Sequence, residues 1–247
     1  VLTVTGMDLL EHARTMGAAA DALGLAATGR SQTVEGIVSV SASDMVAAHL
    51  LPRLVRRIRQ EVPGIAIEVI ATNAISDLQR READIAIRHI NPDRPDLIAR
   101  LIRQATARFY ASKEWVETHG HPRNSQDAAR LPFVGSDRAG RYLAYLHQHG
   151  LTLSEANFSC YADHSVAHWG LVCQGLGIGA MMDEIAQETP GVVCVLDDVP
   201  PVQFPIWLVT HTELHTSRKI RVVFDFLAEG LAQGVPENAH GDWKQCS

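Results

Sequence analysis

The sequence predicts an α/β fold of two Rossmann-like subdomains with a cleft between them, preceded by a long linker helix. Three observations carry this. Between Gly36 and Arg88 the hydrophobic period switches from two to about 3.6 and back, twice, which is the pattern of strand, helix, strand, helix, strand. A second alternation of short apolar runs and helical stretches occupies Arg108 to Leu196. A late apolar run, Ile206-Trp207-Leu208-Val209, followed by an amphipathic stretch from Ser217 to Gln233, then rejoins the first subdomain.

Taken in order, residues 5–28 form the first expected helix, with Thr5 or Asp8 available as cap. Leu9, Ala13, Met16, Ala20, Leu23 and Ala27 recur at spacings of four and three, a coiled-coil seam thinned by alanine. Gly17 and Gly24 lie beside it, permitting close helix approach while lowering helicity. Thr28 to Thr33 reads as a hinge.

Ile37, Val38 and Val40 make the next strand, and Ser41, Ser43 and Asp44 supply oxygen atoms that can cap a helix. In that helix Ala47, Leu50, Leu51, Leu54, Val55, Ile58 and Val62 form an apolar stripe opposite Arg53, Arg56, Arg57, Arg59 and Glu61. Pro52 lies inside it, where a proline removes a hydrogen bond and typically costs ~3 kcal/mol, so one helix with a bend is expected. Pro63-Gly64 ends it. Ile65 to Ile70 is the second strand, and after Thr72-Asn73 a short helix through Leu78 leads to a third strand, Asp84 to Ile87. Strands separated by helices imply parallel pairing with right-handed crossovers.

Asn91 to Pro95 is rich in turn residues, Leu97 to Ile102 is a strand, and the passage into the second subdomain falls around Gln104 to Thr106. There the expected elements are a strand at Arg108 to Ala111, a helix at Lys113 to His119, a strand at Phe133 to Gly135 and a helix at Arg141 to His149. Asn157 to Tyr161 (strand), Ser165 to Gln174 (helix), and Ile178 to Met181 and Val192 to Leu196 (strands) complete it. The polar tail, Gly234 to Ser247, is expected to be mobile.

With 22 basic against 28 acidic side chains, net charge -6, the surface as a whole does not suit nucleic acid. No apolar run approaches a membrane span and no secretory pattern opens the chain, which makes cytoplasm the default. Cys160, Cys173, Cys194 and Cys246 are too widely spaced for a zinc knuckle or a disulfide framework. His164 and His168 stand four apart beside Asp163, a ligand-compatible spacing, but no third strong ligand accompanies them. The glycines of Gly175-Leu176-Gly177-Ile178-Gly179 follow a helix and lead into a strand, the reverse of a dinucleotide-binding turn, and so read as a helix stop and a close-packed strand start. No catalytic constellation is visible, so no enzyme activity, cofactor or metal is expected.

Leu50 to Ile65, L-L-P-R-L-V-R-R-I-R-Q-E-V-P-G-I, followed at Leu78 by L-x-x-x-E-x-D-I-A-I, resembles the opening of the effector-binding domain of LysR-type transcriptional regulators. Leu2-Thr3-Val4-Thr5-Gly6 is similar to the close of that family's winged helix, Arg108 to Trp115 to the start of its second subdomain, and Gly175 to Met182 to its late strand. The resemblance implies a periplasmic-binding-protein type II-like fold, divided into a linker and dimerisation helix with hinge at 1–35, subdomain I at 36–103 and 204–233, subdomain II at 104–203 and a flexible tail at 234–247. It also implies a winged helix-turn-helix upstream of this chain as the DNA reader, a small anionic metabolite as effector, and a homodimer or homotetramer with no membrane partner. The alternative is a solute-binding receptor of a transport system, which an export signal would support.

In such folds ligands sit at the carboxyl ends of parallel strands and at helix N-termini. The candidate effector contacts are therefore Ser41, Ser43, Thr72, Asn73 and Arg88 in the first subdomain and Ser136 and His164 in the second. Ser43 serves equally as a plain N-cap, and Arg88 has Asp84 and Asp93 nearby as alternative salt-bridge partners. The candidate dimer interface is Leu9, Met16 and Leu23 on the linker helix and Leu50, Leu51, Leu54, Val55 and Ile58 on the apolar stripe.

Overall fold

The computed structural model describes Met16 and residues 34–73, 83–92 and 94–233. The linker seam apart from Met16, the short helix expected before Leu78, Asp93 and the C-terminal tail lie outside the described residues. Met16 is helical and 73% exposed, so its side chain takes no part in the core.

Strand β1 (Gly36–Ala42) lies between β2 (Ile65–Ala71) and β3 (Ile85–Arg88) and is parallel to both. Its alternation is read directly in burial: Val38, Val40 and Ala42 are buried in the core. The connection from β1 is helical from Asp44, passes through a π-turn at Val46–Leu50 and becomes α1 (Leu51–Glu61). Pro52 thus stands in the first turn of α1, directly after the π-turn, and the wider turn accommodates its missing N–H. The Leu51 N–H reaches back to the Val46 carbonyl, and the expected bend takes the form of this wider turn.

The apolar stripe of α1 is used internally. Leu50, Leu51, Leu54 and Ile58, expected in a dimer interface, are buried in the core of the chain itself, where they leave little surface for a partner. Val55 is half-buried. Leu54 packs against Gly230 of α7 (Arg218–Ala232), where an added Cβ would come within 2.4 Å of Leu54 Cδ2. The stripe is wide because α1 packs against both β2 and α7.

The strand expected at Leu97 to Ile102 and the one at Arg108 to Ala111 are a single 16-residue strand, β4 (Leu97–Ser112), with a register shift between Leu101 and Arg103. It runs antiparallel to β9 (Val202–His211) and then lies between β7 (Gly179–Met182) and β8 (Val192–Val195). The resulting mixed sheet has the order β2-β1-β3-β9-β4-β7, with β8 also on β4. At the irregularity Arg103 donates from Nε to the Leu231 carbonyl at 2.7 Å and from Nη2 to both carboxylate oxygens of buried Glu184 at 2.6 Å. Glu184 belongs to α6 (Asp183–Gln187), so the crossing strand is tied to both ends of the molecule.

Between β4 and β7 come α2 (Lys113–His119), α3 (Ser125–Ala128), β5 (Phe133–Gly135), α4 (Arg141–Gln148), β6 (Phe158–Tyr161) and α5 (Ser165–Cys173). β5 and β6 pair in parallel, and Phe133 bridges to Ile178. Gly177 makes that approach possible: an added Cβ would lie 2.9 Å from the Phe133 carbonyl carbon and the Pro132 oxygen. Trp115, Phe133, Leu146, Leu151 and Ile178 form a second core there. The whole is an α/β fold of two lobes with a cleft between them.

Candidate functional site

The parallel order β2-β1-β3 sets three strand ends side by side. Ser43 follows β1, Thr72 and Asn73 follow β2, and Arg88 closes β3. These turns are tied together: the Thr72 N–H donates to the Ala42 carbonyl at 2.9 Å, and the Asp44 N–H donates to Asn73 Oδ1 at 3.2 Å. They open on a cleft of about 610 Å³. Ser43, Thr72, Asn73, Arg88 and His89 line one wall, with Phe204 of β9 against His89; Ala107 of β4, Ser165 at the start of α5, and Ala180, Met181 and Met182 of β7 line the other.

Arg88 is held rather than loose. Its Nη2 donates to Ser41 Oγ at 2.6 Å, and its Nη1 donates to the Ile87 carbonyl at 2.9 Å. The salt bridge to Asp84 that the sequence left open is not formed, because Asp84 Oδ2 accepts from both the backbone N–H and the hydroxyl of Ser39. Ser41 itself is 1% exposed and absent from the cleft walls, a correction to its expected role: it orients Arg88 instead of meeting a ligand.

In the second lobe the expected contacts do not reach the cleft. Ser136 is half-buried and lines no part of it, because the turn after β5 folds toward α4, whose first N–H groups Asp137 accepts. His164 has a side chain 72% exposed and points its Nδ1 at Asp44 Oδ2, 3.8 Å away. Asp44 Oδ2 also accepts the Val166 N–H at 3.3 Å, so a carboxylate from the first lobe already occupies the N-terminus of α5.

His89, which sequence reasoning missed, sits at the center of the first wall. Its Nε2 lies 3.4 Å from Ser43 Oγ and its ring meets Phe204 edge-on at 5.1 Å between centroids. Burial holds its imidazole below the ordinary range, so it is neutral near pH 7. Its adjacency to Arg88 at a strand end was the available signal; the Met181, Met182 and Phe204 contributions depend on long-range pairing and had none. Among the described residues no group of His, Cys, Asp and Glu is placed to hold a metal, and no helix is long and apolar enough to cross a membrane. Cys160, Cys173 and Cys194 are half-buried.

Residues 31–232 match the family model described as the LysR substrate binding domain. The chain belongs to this family. It is the effector-binding domain of a LysR-type transcriptional regulator, and the family consists of regulators, not enzymes. Among its LysR relatives, the HTH-type transcriptional regulator CrgA of Neisseria meningitidis serogroup B is 23% identical over 210 residues, covering 81% of this chain and 69% of that protein. The HTH-type transcriptional regulator DmlR of Escherichia coli K12 is 23% identical over 212 residues, covering 83% and 68%. The solved regulatory domain of Neisseria meningitidis CrgA superimposes with a TM-score of 0.70 at 23% identity, over 80% of this chain and 99% of that one. That likeness shows the LysR regulatory-domain fold, and the two-lobed architecture expected from the periodicity is the one it has.

Proposed function

We propose that this chain is the sensing and self-associating part of its regulator, binding a small anionic metabolite between the lobes and passing the change in lobe orientation to DNA readers in a homodimer or homotetramer. Residues 36–103 with 204–233 form one lobe in this reading and 104–203 the other, and DNA is bound through an N-terminal winged helix outside this chain. The observation that carries it is the convergence of Ser43, Thr72 and Arg88 on a cleft walled on its far side by another lobe. A ligand touching both walls has the differential affinity for one lobe arrangement that any such switch requires. Cytoplasmic location follows from the DNA-directed role.

Hydrogen bonds to a charged group contribute about 1.5 to 3 kcal/mol each, so Ser43→Ala or Thr72→Ala is expected to weaken an anionic ligand by roughly ten- to a hundredfold without unfolding the domain. Calorimetric titration of both variants, with a ligand found by thermal-shift screening, is the test. Unchanged affinity in both would return these hydroxyls to structural roles.

A further inference from the structure

We propose that the Asp44 carboxylate is a clasp between the two lobes at the rim of the cleft, and that the domain opens there about a pivot made by Arg103, Glu184 and the apolar core beside them. This rests on the reading that a ligand reorients the lobes, and deepens it by naming the contact that yields and the one that holds.

Asp44 opens the helical connection after β1, in the lobe of the parallel strands. Its side chain is only 12% exposed, and its Oδ2 reaches the other lobe, where it accepts the Val166 N–H at 3.3 Å and lies 3.8 Å from His164 Nδ1, both at the start of α5. Ser43 and Met45 on either side of Asp44, and Ser165 beside Val166, line the cleft, so this contact closes its edge. The turn is anchored in its own lobe: Asp44 Oδ1 accepts the Met45 N–H at 2.7 Å, and the Asp44 N–H donates to Asn73 Oδ1 at 3.2 Å. A negative charge at the first turn of a nine-residue helix is favorable, but one long hydrogen bond and an imidazole with its side chain 72% exposed make a contact that water readily replaces.

The contact at the crossing strands differs in kind. From β4, Arg103 Nε donates to the Leu231 carbonyl of α7 at 2.7 Å while Nη2 donates to both carboxylate oxygens of Glu184 of α6 at 2.6 Å, so one guanidinium joins the two lobes. The Glu184 side chain is 7% exposed, and parting a buried charge pair leaves a carboxylate without solvent or partner. Ile185 and Ala186 of α6 share one apolar core with Leu231 of α7 and Leu54 of α1. β4 and β9 stay paired through the crossing, with Arg103 opposite Ile206 and Gln104 opposite Pro205. Motion that separates the lobes therefore breaks the rim first and turns on the crossing.

The test is double electron–electron resonance on the full chain, with spin labels on ketone-bearing residues introduced at Gln60 of α1 and Gln148 of α4, both exposed and in different lobes, diluted with unlabeled chain so that distances within one chain are read. Asp44→Ala is expected to add a population displaced to longer distance by more than about 2 Å. His164→Ala, which removes only the exposed partner, should leave the distribution as it is. Arg103→Lys, which keeps the charge but loses the fork that joins both lobes, should lower the thermal midpoint without adding the longer population. Thermal melting confirms that each variant is folded at the temperature of measurement. An unchanged distribution in Asp44→Ala would overturn the clasp, whereas the cleft reading stands or falls separately on the Ser43→Ala and Thr72→Ala titrations. The longer population appearing in Arg103→Lys and not in Asp44→Ala would overturn the pivot.

Discussion

His89 and His168 set how the domain answers acid. Burial is the leading cause that holds both imidazoles below their ordinary value of 6.5, so each folds neutral. In the unfolded chain they take up protons as pH falls through about 6.5, while the folded state resists until lower pH; the unfolded state then binds more protons and stability drops. Asp183, whose carboxyl burial pushes up, has the opposite sign and offsets part of this loss. Urea titration at pH 7.5 and 5.5 should give lower stability at 5.5; equal stability would mean that the two imidazoles are not buried as described. The same scale shows what could be foreseen of the site. Ser43, Thr72, Asn73 and Arg88 were legible because each directly follows or ends a strand in a parallel set. Ser41 was misassigned because one residue of register turns its hydroxyl from the cleft to Arg88, a distinction that only the pleat resolves.

Helix α1 and strand β4 show where local pattern suffices and where it fails. The 3.6-residue stripe located α1 to within a few residues, and the proline problem is solved by a π-turn whose hydrogen bond spans five residues. Because Pro52 stands in the first turn, Pro52→Ala should change stability by less than about 1 kcal/mol, measured by urea unfolding. A gain near 3 kcal/mol would place the proline in a true helix interior. Strand β4 was read as two strands because its middle residues, from Arg100 to Gln104, are half-exposed and break the alternation. A strand that passes from one lobe to the other changes which of its faces is covered, and the irregularity at Leu101 and Arg103 shifts the register midway. Period counting cannot bridge such a change. The cleft residues Met181, Met182 and Phe204 were missed for the same reason, since they reach the site only through pairing across β4.

For the molecule as a whole, the buried stripe of α1 separates stability from association. Leu54→Ala removes a core side chain packed on Gly230, and is expected to lower stability by about 2 to 5 kcal/mol while leaving the sedimentation of the folded protein unchanged. A variant that stays stable but dissociates would restore the stripe to the interface. The fold class was legible because two lobes of alternating strands and helices leave their period everywhere in the chain; the interface was not, because a stripe facing the chain's own core and one facing a second copy are written in the same residues. The central claim is that the cleft between the lobes receives the ligand, and a crystal structure of the domain with its tightest-binding anionic ligand tests it most directly. The carboxylate is expected within hydrogen-bond reach of Ser43 and Thr72, with the remainder of the molecule against Met182 and Phe204; ligand density outside the cleft, or in it with the carboxylate turned toward β7, would contradict it.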